Sequence, residues 1–522
     1  MATYYFRNVT GNWNTASSWS LTSGGGATGA VPTSSDNVIF DSNSGACTLS
    51  TTAGLCASIS FSSYTNTLTL NIDIRVSGNV TFTGNSITVA GSGNLNFYAN
   101  TPTITSNSNT WGGNIAISIA TLFADDFTAL GSCSITGLSV NPSSGTGTVN
   151  LYVGGSLTTG TFSGAVIIIL TGTGTVTCSS LRNTGLTINS SGTITFATSS
   201  FLVLSSNTFT FTYTAGTVAF GSSTLTFTGN TGAGSFIFNN VSSLTFNTVV
   251  FTILGATYTL NSDMNITTFQ YTGNGNANNT ITINGSNLNI GGLTTATVGA
   301  TNSILGTSTI VAKLGGTITG NTNLTLKNNF SINCGSNTTT FAGTFVYSTG
   351  TLTYITGTVS FSSSTLFLSA SCTLNTSSVS WSNITISAAA TITLNSTLTI
   401  SNVLSILANT SFIGNYGFNV YSLTSTLPVT ITLKSSNTYT ITNNLACYGT
   451  YASHSKFVSS VGGTTTALTL NAGASQTNLF LDATDVNSSA GQLIWSFLGV
   501  FSNSSNWVAG IQPAASSYIF MT

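Results

Sequence analysis

The sequence predicts an all-β chain, a right-handed parallel β-helix (β-solenoid) with capped ends. Three observations carry this reading. Apolar and polar residues alternate singly in short runs along most of the 522 residues, and a period of two sends one face of a strand inward and the other outward. Strong helix formers are scarce, with no Glu, three Met and seven Lys plus Arg, whereas β-branched Thr, Val and Ile abound. The texture also runs from about residue 48 to residue 472 without a linker, a charge run or a Pro-rich break. A sandwich or barrel closes within roughly 100–250 residues, whereas stacked coils let one core continue.

Taken in order, residues 1–47 read as an N-terminal cap or attachment module. They hold Trp13, Trp19, Asp36 and Asp41, and an open solenoid end exposes core and ladder groups that a cap must cover. Residues 48–475 read as the body. Its strands include Thr67-Leu-Thr-Leu-Asn-Ile-Asp-Ile-Arg-Val76, Thr208-Phe-Thr-Phe-Thr-Tyr-Thr214 and Thr391-Ile-Thr-Leu394, each turned by Gly, Ser or Asn. The repeat is degenerate, and a coil of ~20–25 residues fits the solenoid range. Thr, Ser and Asn at equivalent positions would stack as hydroxyl and amide ladders. Gly-Gly pairs and the Asn284-Gly285 dipeptide leave open an antiparallel or multi-domain sandwich array. In residues 119–130, Phe123 and Phe127 lie four apart and mark the one candidate short helix, with a loop as the alternative. Residues 476–522 read as a C-terminal cap with Asp482, Asp485, Trp495 and Trp507. Packing is the ordinary role for these four Trp, and a carbohydrate platform is the alternative.

Only 3% of the chain is charged, and the formal net charge is −1. Residues 183–262 and 328–433 contain no Asp, Glu, Lys, Arg or His at all. Arg7, Arg75, Arg182, Lys313, Lys327, Lys434 and Lys456 are spread too thinly for a basic patch, which argues against nucleic acid and anionic membranes as partners. The longest strongly apolar run, residues 165–170, is too short to span a bilayer, so no membrane insertion is expected. The N-terminus lacks a basic segment followed by an apolar one, so the expectation is synthesis in a cytoplasm without the usual export route.

The chemistry on offer is sparse. Seven Cys, an odd number without a C-x-x-C pair, and a single His exclude Cys–His metal sites. Buried reduced thiols are the ordinary reading, and Cys47–Cys56 is the one local disulfide to consider. Glycoside hydrolysis needs two carboxylates roughly 5–9.5 Å apart, and the internal acids are Asp73, Asp125, Asp126 and Asp263. Asp125 and Asp126 form the one adjacent pair, but strand alternation would send them to opposite faces; a polar loop or Asx-turn is the bland alternative. His454 has no sequence-adjacent acid to orient it, and a nucleophile needs an oriented base. No Asp repeat suits calcium and no Gly loop carries a phosphate-binding Lys. The expectation is therefore no catalytic residue, no cofactor-binding residue, no metal ligand, no cofactor and no enzyme activity.

The segment Gly11-Asn-Trp-Asn-Thr-Ala-Ser-Ser-Trp19, followed by Val31-Pro32 and Asp36-Asn-Val-Ile-Phe-Asp41, resembles the opening module of many large β-solenoid proteins of tailed bacteriophages, environmental viral sequences and bacterial surfaces. Leu481-Asp-Ala-Thr-Asp-Val486, then Ser489-Ala-Gly491, Trp495 and Asn506-Trp507, is similar to the terminal module of that group, with less Gly and Asp than usual. A shorter echo links Ser505-Asn-Trp507, Pro513 and Tyr518-Ile-Phe520 to Ser18-Trp19, Pro32 and Val38-Ile-Phe40. The resemblance implies a structural or adhesive protein without shared catalytic residues. It points to a non-enzymatic virion protein, a fibre, spike or capsid-decorating solenoid made in host cytoplasm, acting in assembly or host-surface adhesion. Its expected partners are other virion proteins, copies of itself in a homo-oligomer (a trimer by analogy with fibres) and a host-surface glycan. The alternatives are a secreted bacterial adhesin or extracellular filament subunit at the cell surface, and a polysaccharide-depolymerising tailspike.

Overall fold

The structure, a computed structural model, describes residues 1–137, 139–144, 147–182, 185–197, 201–205, 208–229, 234–252, 256–272, 280–296, 302–361, 364–377, 379–488 and 491–512. Pro513 and Tyr518-Ile-Phe520 of the C-terminal echo, and Ser489 of the terminal module, lie outside these residues. Of the described residues, 60% are strand and 1% helix. It divides into two compact units, Met1–Asn265 and Ile266–Thr522. Each is a β-solenoid of parallel coils, and the two together contain about 20 coils.

In the first unit, strand Asn37–Asp41 pairs in parallel with Ser58–Ser62, and that strand with Val80–Thr83. The register runs Val38, Ile59, Val80, Ile104 and Phe123, so successive coils consume 21, 21, 24 and 19 residues. Unequal turns explain why the sequence shows no fixed period. Alternation does what period two requires: in Ser58–Ser62, Ile59 and Phe61 are buried while Ser58, Ser60 and Ser62 face outward. Equivalent inward positions stack, with Phe6, Phe40, Phe61 and Phe82 forming a column of rings 5.3–5.5 Å apart.

The N-terminal residues join this coil stack directly. Thr3–Phe6 pairs in parallel with Asn37–Asp41 and antiparallel with Trp19–Ser20. Trp13 and Trp19 are fully buried, their rings meet edge to face at 4.9 Å, and Trp19 Nε1 donates to the Trp13 carbonyl at 2.6 Å. Packing is therefore the role of this pair.

The candidate helix at residues 119–130 is instead two strands, Thr121–Phe123 and Phe127–Ala129. Each pairs in parallel with its neighbours, and both Phe are buried. The four-residue spacing comes from a corner at Asp125–Asp126 that turns the chain from one side of the coil to the next. The Asn284-Gly285 dipeptide makes no hairpin either. Its glycine ends strand Thr280–Gly285 at φ +95°, and the strand pairs in parallel with Asn302–Leu305.

In the second unit, Thr351–Ser360, Cys372–Asn375, Ala390–Leu394, Thr410–Gly414, Thr430–Leu433, Ser455–Ser459 and Leu481–Thr484 pair in parallel, one after another. Polar side chains at the corners tie coil to coil. In the first unit the Ser132 N–H donates to Asn114 Oδ1 at 2.8 Å, the Ser156 N–H to Ser132 Oγ at 3.1 Å, and the Thr175 N–H to Ser156 Oγ at 2.9 Å. Asn261 Nδ2 donates to Asn239 Oδ1, and Asn239 Nδ2 to Thr212 Oγ1, at 2.7 and 3.2 Å. These are the hydroxyl and amide ladders that the composition predicts, and they satisfy corner backbone groups without charge.

Candidate functional site

The acids decide what chemistry the chain can do. Asp125 and Asp126 sit at one corner and point to opposite neighbours. Asp125 accepts the backbone N–H groups of Ser106 (2.7 Å) and Asn107 on the preceding coil. Asp126 accepts the backbone and side-chain N–H of Asn150 on the following coil, at 2.8 and 2.9 Å. They pin three coils together and do not converge on a common point.

Asp73 has the same job. Burial pushes its carboxyl up, but the backbone and side-chain N–H of Asn94, the side chain of Asn96 and the nearby Arg75 together hold it below the usual carboxylate range. Asp36 is also held low, first by the Ala2 N–H at 2.8 Å, against the opposing effect of burial, and further by the Thr33 hydroxyl and N–H. Asp41 accepts from the Asn43 N–H and the Ser44 hydroxyl. Asp485, at φ +57°, accepts from the Gly463 N–H at 2.9 Å and from Asn503.

The seven Cys are all free and buried, including Cys47 and Cys56. Burial pushes the thiols of Cys47, Cys56 and Cys133 up, and those of Cys372 and Cys447 up to about 12. A thiol in that range carries almost no thiolate at neutral pH.

One cluster escaped the sequence. His454 Nδ1 lies 2.7 Å from Asp482 Oδ1, with the two side chains 22% and 15% exposed. The partners are 28 residues apart in the chain yet adjacent in space, because Ser455–Ser459 pairs with Leu481–Thr484 and sets Lys456 beside Asp482. The loop ahead of that strand is held by a tight turn at Thr450–Ser453. The Gly449 and Ser455 N–H groups anchor it, donating to the Leu479 and Phe480 carbonyls at 2.7 and 3.0 Å. Asp482 Oδ1 also accepts the Val500 N–H at 2.9 Å, which fixes the carboxylate that orients the imidazole.

Aromatic rings border this pair. Phe480 is held at φ +53°, a left-handed conformation that costs a bulky residue strain and tends to mark functional positions. Its ring lies 5.4 Å from that of His454 and 6.3 Å from that of Tyr451, edge to face. Tyr451 is 85% exposed. His454, Lys456 and Asp482 line one end of a cavity of about 510 Å³ whose remaining wall includes Asn409, Thr430 and Ser453. A carboxylate, an oriented imidazole and an ammonium line the cavity and can hold a polar ligand, while the exposed Tyr451 ring stands outside its wall, next to Phe480. The second carboxylate that general acid–base glycoside cleavage needs does not line this cavity.

Of the two C-terminal Trp, Trp507 is 8% exposed and donates from Nε1 to the Val486 carbonyl at 2.8 Å. Trp495 is half-buried and borders a separate cavity of about 560 Å³ with Gln476 and Asn478. Among the described residues, no three His, Cys, Asp or Glu side chains gather in a way that could hold a metal ion, and no helix is long and apolar enough to cross a membrane. No family model, no curated protein and no solved structure matches this chain.

Proposed function

We propose that this chain is a non-enzymatic structural protein of a bacteriophage particle, a fibre, spike or capsid-decorating β-solenoid that acts in assembly or host-surface adhesion. One observation carries the reading. Seven of the eight Asp accept hydrogen bonds that hold coils, turns or the His454 ring in place: Asp36, Asp41, Asp73, Asp125, Asp126, Asp482 and Asp485. These seven carboxylates hold the chain's own backbone and, at Asp482, the His454 ring. What it presents outward is a hydroxyl and amide surface with few ions to desolvate, suited to close packing against copies of itself or a shell.

In this reading the partners are other virion proteins, further copies in a homo-oligomer and a host-surface glycan. The protein is made in host cytoplasm and reaches its place on the particle without export, and no cofactor takes part. Antibodies raised against the purified chain, applied to gradient-purified particles and to the host envelope, test it. Gold label at regular positions on particles is the expected result. Label confined to cell surfaces or free filaments overturns it in favour of the secreted adhesin.

The depolymerase reading has one observation in its favour, the oriented His454–Asp482 pair. Incubation of the purified protein with bacterial surface polysaccharides, read as loss of chain length, tests it.

A further inference from the structure

The His454 cavity does not stand alone. A second cavity, of about 520 Å³, shares Asn409 and Thr430 with it. A third, of about 320 Å³, shares Ser371 and Thr391 with the second. These two are shallow and widely open to solvent, and depressions that share lining residues run together as one open furrow. It crosses the seven strands from Thr351–Ser360 to Leu481–Thr484, all within the second unit. Six inter-strand steps at about 4.8 Å give a furrow roughly 29 Å long.

The lining follows from strand register. Thr351 is level with Thr373, and Thr373 with Thr393. Beside them Thr391 is level with Ser411, and Ser411 with Thr432. Thr430 is level with Lys456, and Lys456 with Asp482. The result is two rows of outward-facing hydroxyls, which run on to Ile413 and Val458, and beside them Thr430, which alone is in register with the charged cluster at Lys456 and Asp482.

We propose that this furrow binds an extended neutral polysaccharide, with one end of the chain held at Tyr451, His454, Lys456 and Asp482. The proposal rests on the adhesive branch of the function given above and names its ligand class and its site. Charge selects the class. Residues 328–433 contain no ionisable Asp, Glu, Lys, Arg or His, so a polyanion entering the furrow would lose hydration and meet a cation only at Lys456. A polyol instead exchanges water hydrogen bonds for equivalent ones from Thr, Ser and Asn side chains. At the terminus, Nδ1 of His454 is committed to Asp482, which leaves the other ring nitrogen for a ligand hydroxyl. The exposed Tyr451 ring supplies an apolar face for sugar C–H groups. The ladder repeats coil by coil, so it suits a polymer better than a single sugar.

The test uses the full chain and defined neutral oligosaccharides (β-glucan and mannan series of increasing length, and a broad array of neutral bacterial surface glycans), with polygalacturonate as the anionic control. Calorimetry on the ligand that the array selects should show affinity rising with chain length and little changed by salt. Thr391→Val with Thr430→Val keeps side-chain shape and removes two hydroxyls. That pair should weaken binding by about tenfold, and Tyr451→Ala should weaken it by a similar factor, each with an unchanged circular dichroism spectrum. Lack of any neutral glycan ligand, binding indifferent to both variants, or preference for polygalacturonate overturns the proposal. Particle label without glycan binding sinks this inference and leaves the virion reading standing. Glycan binding with label only on cell surfaces does the reverse.

Discussion

Phe61→Ala tests how the coils hold together. Phe61 is fully buried. Its ring stacks on Phe40 at 5.5 Å and on Phe82 at 5.3 Å, and it touches Trp111 at 5.7 Å and Tyr64 at 6.4 Å. Truncating a buried Phe costs about 3–5 kcal/mol in transfer and cavity terms. Each good ring pair adds roughly 0.5–1.5 kcal/mol beyond buried area, and cutting the column breaks two stacked pairs at once. We therefore expect about 4–5 kcal/mol for Phe61→Ala and a smaller loss of about 1–3 kcal/mol for Phe61→Leu, which keeps most of the apolar volume but loses both stacked ring pairs. Guanidinium unfolding followed by circular dichroism gives the first number from the midpoint shift at constant slope. Hydrogen exchange gives the second readout. In a stack where each coil contacts mainly its neighbours, protection should fall in Asn37–Asp41, Ser58–Ser62 and Val80–Thr83 and stay unchanged in Ala390–Leu394. A loss below about 1 kcal/mol, or a uniform fall in protection across the chain, would refute nearest-neighbour stacking as the source of stability.

Three other outcomes follow from the same geometry. The double variant Asp125→Asn with Asp126→Asn should lower stability by about 1–3 kcal/mol, since each amide turns one acceptor oxygen into a donor facing an N–H; ligand binding should be unchanged, and a loss of binding in a folded variant would contradict the structural role. Stability should fall in acid. The carboxyls of Asp73 and Asp36 are held below their unfolded values, so their contribution is present above about pH 4 and is lost as pH drops through the lower folded values; Asp73→Asn should flatten that acid limb in pH-dependent unfolding, and an unaltered limb would count against it. All seven thiols should resist a water-soluble thiol reagent in the native protein and react after denaturation; rapid labelling of native Cys47 or Cys56 would show that their coils open.

Much of the fold was legible because alternation and missing helix formers act on every strand alike, so single errors do not accumulate. The coil length was not legible, because turns absorb insertions: the step from Val80 to Ile104 is longer than that from Ile104 to Phe123. Residues 119–130 show the same cause at small scale. Phe123 and Phe127 lie four apart as they would on a helix, but a three-residue corner separates two inward-facing strand positions. Burial of Trp13 and Trp19 could be argued from the need to close an end, whereas the half-buried state of Trp495 could not.

The candidate site was hidden for a related reason. His454 has no acid nearby in sequence, and its partner is reached only once the register sets Lys456 beside Asp482. A known coil step would have put Asp482 within reach. The furrow was hidden too, since rows of Thr in a Thr-rich chain carry no signal until strand register aligns them.

Whether the chain holds glycans or cuts them is decided by digestion. The purified wild-type protein is incubated at several pH values with a panel of bacterial surface polysaccharides, including every glycan it retains, and chain length and new reducing ends are measured. The account predicts that each polysaccharide is recovered at its original length, with no new ends above a protein-free control. Shortened chains produced by wild type and abolished in His454→Ala or Asp482→Asn would contradict it and make the His454–Asp482 pair the centre of a depolymerising enzyme.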